Sequence, residues 1–90
     1  MKIAFDIDGT LQGRYEPVTW LHRELRKFAE QGHDVIVWSG GGMEYAQRYI
    51  ERNELPARTA IKCSEVVDLA FDDAVDNLAG AKLTIQVWSE

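Results

Sequence analysis

Lys2-Ile3-Ala4-Phe5-Asp6-Ile7-Asp8-Gly9-Thr10-Leu11 opens on an apolar run and turns abruptly polar. A run with no polar position at its centre predicts an interior strand of a parallel sheet, here Lys2 to Ile7. Alternation along a strand sends residues i and i+2 to the same side, so Asp6 and Asp8 are expected to share one side of the strand's end. Gly9-Thr10 then breaks the strand and offers backbone N–H groups where the carboxylates emerge. Oxygens suit a hard cation, amides suit an anion, and an aspartate can act as a nucleophile.

Working outward, strands and helices alternate. Gly9 to Pro17 reads as a polar loop. From Thr19, apolar residues at Trp20, Leu21, Leu25, Phe28 and Ala29 recur at helical spacing. That predicts an amphipathic helix capped by Thr19 and stopped at Gly32. Asp34 to Trp38 reads as a second buried strand. Gly40-Gly41-Gly42 opens a second helix through Met43, Ala46, Tyr49 and Ile50, ending near Asn53 to Pro56. Short strands are predicted at Arg58 to Ile61 and Asp68 to Phe71, with a turn or half-helix at Cys63 to Val67 between them. A short helix at Ala74 to Ala79 and a last strand at Leu83 to Trp88 complete the pattern, with Trp38 and Trp88 in the sheet core. The alternation predicts one α/β domain over residues 1–90 with a parallel sheet. Right-handed crossovers bring the C-terminal strand ends to one edge, where such sheets place their sites.

Each predicted strand delivers polar groups to that edge: Asp6 and Asp8, then Ser39 with three glycines, then Lys62, then Asp72 and Asp73. In this order the chain resembles the haloacid dehalogenase superfamily of phosphatases, over Ile3 to about Leu78. Its four motifs are matched by Asp6-Ile7-Asp8-Gly9-Thr10-Leu11, the strand ending in Ser39, Lys62, and the strand ending in Asp72-Asp73. The first motif is highly specific and the fourth moderately so; a lone Ser or Lys is weak by itself.

The resemblance implies a three-layer α/β/α sandwich with a Rossmann-like parallel sheet and a Mg²⁺-dependent phosphomonoester hydrolase. Asp6 would be the nucleophile and Asp8 the general acid and base. Lys62 would bridge Asp6 to the phosphate. Gly9, Thr10, Ser39 and Gly40 would bind phosphate, the glycine run adding amides at a helix N-terminus. Asp6, the backbone carbonyl of Asp8 and the Asp72-Asp73 pair would hold Mg²⁺, with Asp73 favoured over Asp72 as the direct ligand. Gathered carboxylates repel one another and require such a counter-charge. Asp76-Asn77, one helical turn on, would orient the lysine or metal-bound waters. The triple glycine departs from the family, which more often has larger residues there.

The 90 residues, 46% hydrophobic with 2 Pro and 7 Gly, fit a small globular domain. Such a chain buries roughly 60–65% of its unfolded surface. A net charge of −5 sets no trap for nucleic acid or an anionic membrane. Cys63 is alone, which excludes an intramolecular disulfide and a cysteine zinc site. With no long apolar run and no signal-peptide pattern, a cytoplasmic protein is expected.

The gaps before Asp34 and between Ser39 and Lys62 leave no room for a cap domain. The site is therefore expected to be open, taking a small or macromolecular phosphorylated substrate. Tyr15, Trp20, Met43 and Tyr45 lie on segments beside it, so a homo-oligomer is expected to cover part of it. His22 and His33 read as surface residues. The alternative to an enzyme is a catalytically weak member of the same fold serving as a binding or assembly subunit. A two-component receiver domain is excluded by motif order, because here the paired aspartates come first and Lys62 precedes the acidic pair.

Overall fold

The computed structural model describes residues 1–74 and 80–87. Five strands and two helices follow in the order β1 (Lys2–Phe5), α1 (Thr19–Glu30), β2 (Asp34–Val37), α2 (Met43–Asn53), β3 (Arg58–Thr59), β4 (Val67–Asp72) and β5 (Ala81–Gln86). The strands form one parallel sheet in the order β3-β2-β1-β4-β5. Residues 75–79 of the predicted helix over Ala74 to Ala79, with Asp76-Asn77 among them, and Trp88 fall outside the described residues.

The apolar run places β1 at the centre of the sheet. Ile3, Ala4 and Phe5 are fully buried and pair with β2 on one side and β4 on the other. Strand order reverses between β1 and β4, which makes their C-terminal ends the switch point at which parallel α/β sheets place their sites. Both described helices pack on the face carrying Ile3, Phe5, Val35, Val37 and Phe71, which meets Leu21 and Leu25 of α1 and Ala46, Tyr49 and Ile50 of α2. Phe5 stacks on Phe71 at a 4.6 Å centroid separation, and Phe28 of α1 tilts onto both rings. Across the sheet, smaller residues (Ala4, Ala60 and Ala70) pack with Ile36, Trp38 and Val67.

Two local expectations are corrected. The first strand ends at Phe5, two residues early, because the chain turns at once: Thr10 and Gln12 N–H both donate to the Ile7 carbonyl, and Gly9 takes φ +84°. Past Phe5 the ladder continues with Asp6 N–H donating to the Phe71 carbonyl at 3.0 Å, while Trp38 N–H donates to the Phe5 carbonyl at 3.0 Å. The second concerns α1, where Thr19 is the first helical residue and not the cap. Val18 holds the cap position in extended backbone with no side-chain bond, and its carbonyl accepts from Leu21 and His22. Gly32, at φ +87°, ends that helix as its position predicts.

At the opposite, N-terminal edge, charges interleave across the strand starts. Arg58 grips Asp34 through Nε and Nη2, each at 2.9 Å, and both Glu65 oxygens at 2.7–2.8 Å. Lys2 Nζ adds a 2.9 Å bond to Glu65, and Lys82 reaches Asp68. The two edges thus carry different chemistry, a balanced ionic clasp at one and a carboxylate excess at the other.

Candidate active site

Parallel pairing brings the ends of β1 and β4 side by side, and the site grows from that juxtaposition. Asp6 continues β1 inward and is nearly buried. Asp72, the last residue of β4, is fully buried, and Asp73 follows half-buried. One carboxylate oxygen from each of Asp6, Asp72 and Asp73 lies within 4.8 Å of the others. Lys62, from the turn between β3 and β4, reaches into this cluster. Its Nζ donates to Asp6 Oδ1 at 3.1 Å and lies 2.8 Å from Asp72 Oδ2. Thr10 Oγ1 donates to the other Asp6 oxygen at 3.3 Å.

Three carboxylates face one ammonium, so negative charge is in excess. Burial, together with the charge of Asp72, pushes Asp6 up to about 6 despite the opposing pull of Lys62. Burial works against the charge on Lys62, but its bond to Asp72 and the charge of Asp6 outweigh that and raise it above the ordinary lysine value. A hard divalent cation fits this donor set, being all oxygen, convergent and under-neutralised. The backbone around it is built for close approach. A Cβ on Gly9 would lie 2.3 Å from Asp73 Oδ2, so the glycine makes the room that lets Asp73 join Asp6.

Asp8 behaves differently from the reading that put both carboxylates on one side. The turn after Phe5 ends strand alternation, and the exposed Asp8 side chain leaves the three-carboxylate cluster. It meets Tyr45 of α2, whose hydroxyl lies 2.9 Å from Asp8 Oδ1 and 3.1 Å from Oδ2. Burial, then the Asp8 hydrogen bond and charge, raise the Tyr45 phenol above its ordinary pKa, so it stays a donor. Tyr45 was expected on a self-association surface; its hydroxyl instead lies against a candidate catalytic group. Its i+4 neighbour Tyr49 continues inward. Tyr49 Oη donates to Gln12 Oε1 at 3.3 Å and lies 2.9 Å from His22 Nε2, and the same His22 nitrogen lies 3.2 Å from the Leu11 carbonyl.

His22 is therefore half-buried between the loop and α2, correcting its surface assignment, and burial lowers its pKa. His33 too is half-buried, against the ring of Phe28.

Ser39 follows β2 and is buried, its Oγ accepting from Gly41 N–H at 3.0 Å. That bond shapes the glycine turn and leaves the hydroxyl proton to donate elsewhere. The three glycines have different reasons. Gly42 takes φ +102° as the N-cap of α2, and a Cβ on Gly41 would press to 3.1 Å from Tyr45 Cδ2. Gly40 is exposed and has open space around its Cα. Neither the loop between β1 and α1 nor the chain from Ser39 to Lys62 contains an inserted domain. Among the described residues no helix is long and apolar enough to cross a membrane. Comparison with protein-family models, curated proteins and solved structures gave no match.

Proposed function

We propose that this chain is a capless phosphomonoester hydrolase of the haloacid dehalogenase type, with a three-layer, Rossmann-like core. The observation that carries the reading is the meeting of Asp6, Asp72, Asp73 and Lys62 at the end of the central strand, with Asp8 two residues on but outside the cluster. An aspartate bonded to lysine among further carboxylates suits covalent catalysis, and a separate carboxylate suits proton transfer.

Asp6 attacks phosphorus as the ester P–O bond breaks, and Asp8 gives its proton to the leaving oxygen. Water then attacks the aspartyl phosphate, losing its proton to Asp8 and releasing inorganic phosphate with Asp6 regenerated. Lys62 balances charge on the non-bridging oxygens, while Ser39 and the amides of Gly9, Thr10 and Gly40 hold them. Mg²⁺, held by the carboxylates of Asp6, Asp72 and Asp73 and the backbone carbonyl of Asp8, would supply the positive charge that a dianionic substrate needs beside these groups. The absence of an inserted cap supports an open site that takes small or macromolecular phosphate esters.

The test is a panel of phosphomonoesters with and without Mg²⁺. Turnover that stops in EDTA and disappears in Asp6→Asn is expected. Undiminished turnover in chelator would overturn the mechanism. Cation binding without turnover of any ester would favour a binding or assembly subunit.

A further inference from the structure

The two tyrosines of α2 sit one turn apart but touch different groups. Tyr49 faces Gln12 and His22, whereas Tyr45 meets both oxygens of Asp8, 37 residues earlier in the chain. The Asp8 contact has a second structural trace. Gly41 lies against the Tyr45 ring, and a side chain there would press on Cδ2, so the glycine turn leaves room for the ring in this position. An exposed aspartate on a loop samples several rotamers, while one whose two oxygens share the single O–H of a phenol fixed on a helix is restricted.

We infer that Tyr45 is the positioning residue for the general acid and base: its phenol holds the Asp8 side chain out of the Asp6, Asp72 and Asp73 cluster, on the side where the leaving group departs. The role rests on the phosphatase reading. Tyr45 exchanges no proton with substrate. When Asp8 is a carboxylate the phenol donates to it, and when Asp8 is protonated one oxygen can still accept from the phenol while its O–H turns to the ester oxygen. Held this way, the Asp8 carboxylate stays out of the Asp6, Asp72 and Asp73 cluster, only its backbone carbonyl facing the cation, and remains within the reaction's proton path. Placement of a catalytic group within about half an ångström is what such supporting contacts provide.

Leaving-group dependence separates this role from a structural one. p-Nitrophenolate departs with little need of a proton, whereas an alkoxide depends on the acid. Tyr45→Phe keeps the ring and removes only the hydroxyl. With Mg²⁺ present, kcat/KM for an alkyl phosphate is expected to fall about tenfold, and that for p-nitrophenyl phosphate by less than about threefold, a part of the range that acid–base assistance covers. Tyr49→Phe, the same change one turn along the helix, should leave the ratio of the two values at the wild-type level. Equal losses on both esters in Tyr45→Phe, no loss on either, or the same change of ratio in Tyr49→Phe would overturn the positioning role while the phosphatase reading stands. Failure of the wild-type chain to hydrolyse either ester would overturn the phosphatase reading, and this role with it.

Discussion

Gly9 is the residue with the least freedom at the site. It combines φ +84° with a 2.3 Å approach of Asp73 to the place a Cβ would occupy. Gly9→Ala should therefore cost about 1–3 kcal/mol in urea unfolding through backbone strain. The displaced Asp73 should also weaken Mg²⁺ binding at least about tenfold by calorimetric titration, since a lost ligand of 1.4 kcal/mol is a factor of ten. Unchanged cation affinity would mean that Asp73 is no ligand.

Asp6 and Asp8 separate by their consequences. Asp8→Asn should lower turnover roughly 10²–10⁴-fold, the usual worth of acid–base assistance, and spare cation affinity because its side chain lies outside the cluster. Asp6 has its pKa raised to about 6 by burial and by Asp72. A raised carboxylate makes the folded state bind the proton more tightly, so stability falls as pH rises from the unfolded value near 3.8 to about 6 and stays reduced above it. Metal-free Asp6→Asn should accordingly melt higher than the wild type at pH 8, by about 5 °C. The advantage should vanish well below pH 6, as thermal scans in EDTA would show.

At the scale of elements, the two edges of the sheet have opposite pH behaviour. The clasp at the strand starts holds Glu65 down to about 2 through hydrogen bonds from Arg58 and Lys2, and Arg58 also lowers Asp34. A depressed carboxylate contributes stability that is complete above its unfolded pKa near 4.5 and is lost as pH falls toward 2. Glu65→Gln should flatten the acid dependence of stability between pH 4.5 and 2 while leaving ester hydrolysis unchanged. A curve as steep as the wild type's would show that the clasp contributes nothing measurable in solution. Helix α2 is anchored on the sheet by its inner residues Ala46 and Ile50, and that packing fixes where Tyr45 meets Asp8.

For the molecule as a whole, the open site and exposed apolar residues bear on assembly. Tyr15, Trp20 and Met43 are 83%, 51% and 43% exposed, and Tyr15 carries Arg14 above its ring. Burying such side chains contributes roughly 1.5–3 kcal/mol each, which is enough to pair two copies if they meet. A homodimer or tetramer is the expected result of light scattering at micromolar concentration. A monomer with full activity would leave a bulky phosphorylated partner as the better account of the uncapped site.

The sequence alone determined the features that depend on neighbours in the chain. The apolar run before Asp6 made β1 a buried strand, the helical spacing from Trp20 to Ala29 made α1, and Gly32 ended it, because periodicity and glycine conformation act within a few residues. The polar groups at successive strand ends were legible for the same reason, since parallel pairing with right-handed connections sends those ends to one edge. Only the tertiary structure decided how these groups face one another. Asp6 and Asp8 part company because the chain turns at Gly9, where strand alternation no longer governs direction. Asp73 packs on Gly9 because β4 lies beside β1, and Lys62 crosses from the next connection to join Asp6 and Asp72. Tyr45 meets Asp8 because α2 packs over that same face. The contacts of Tyr45 with Asp8, Asp73 with Gly9 and Lys62 with Asp6 join residues far apart in sequence, so their geometry follows from strand order and helix packing, which no local pattern encodes.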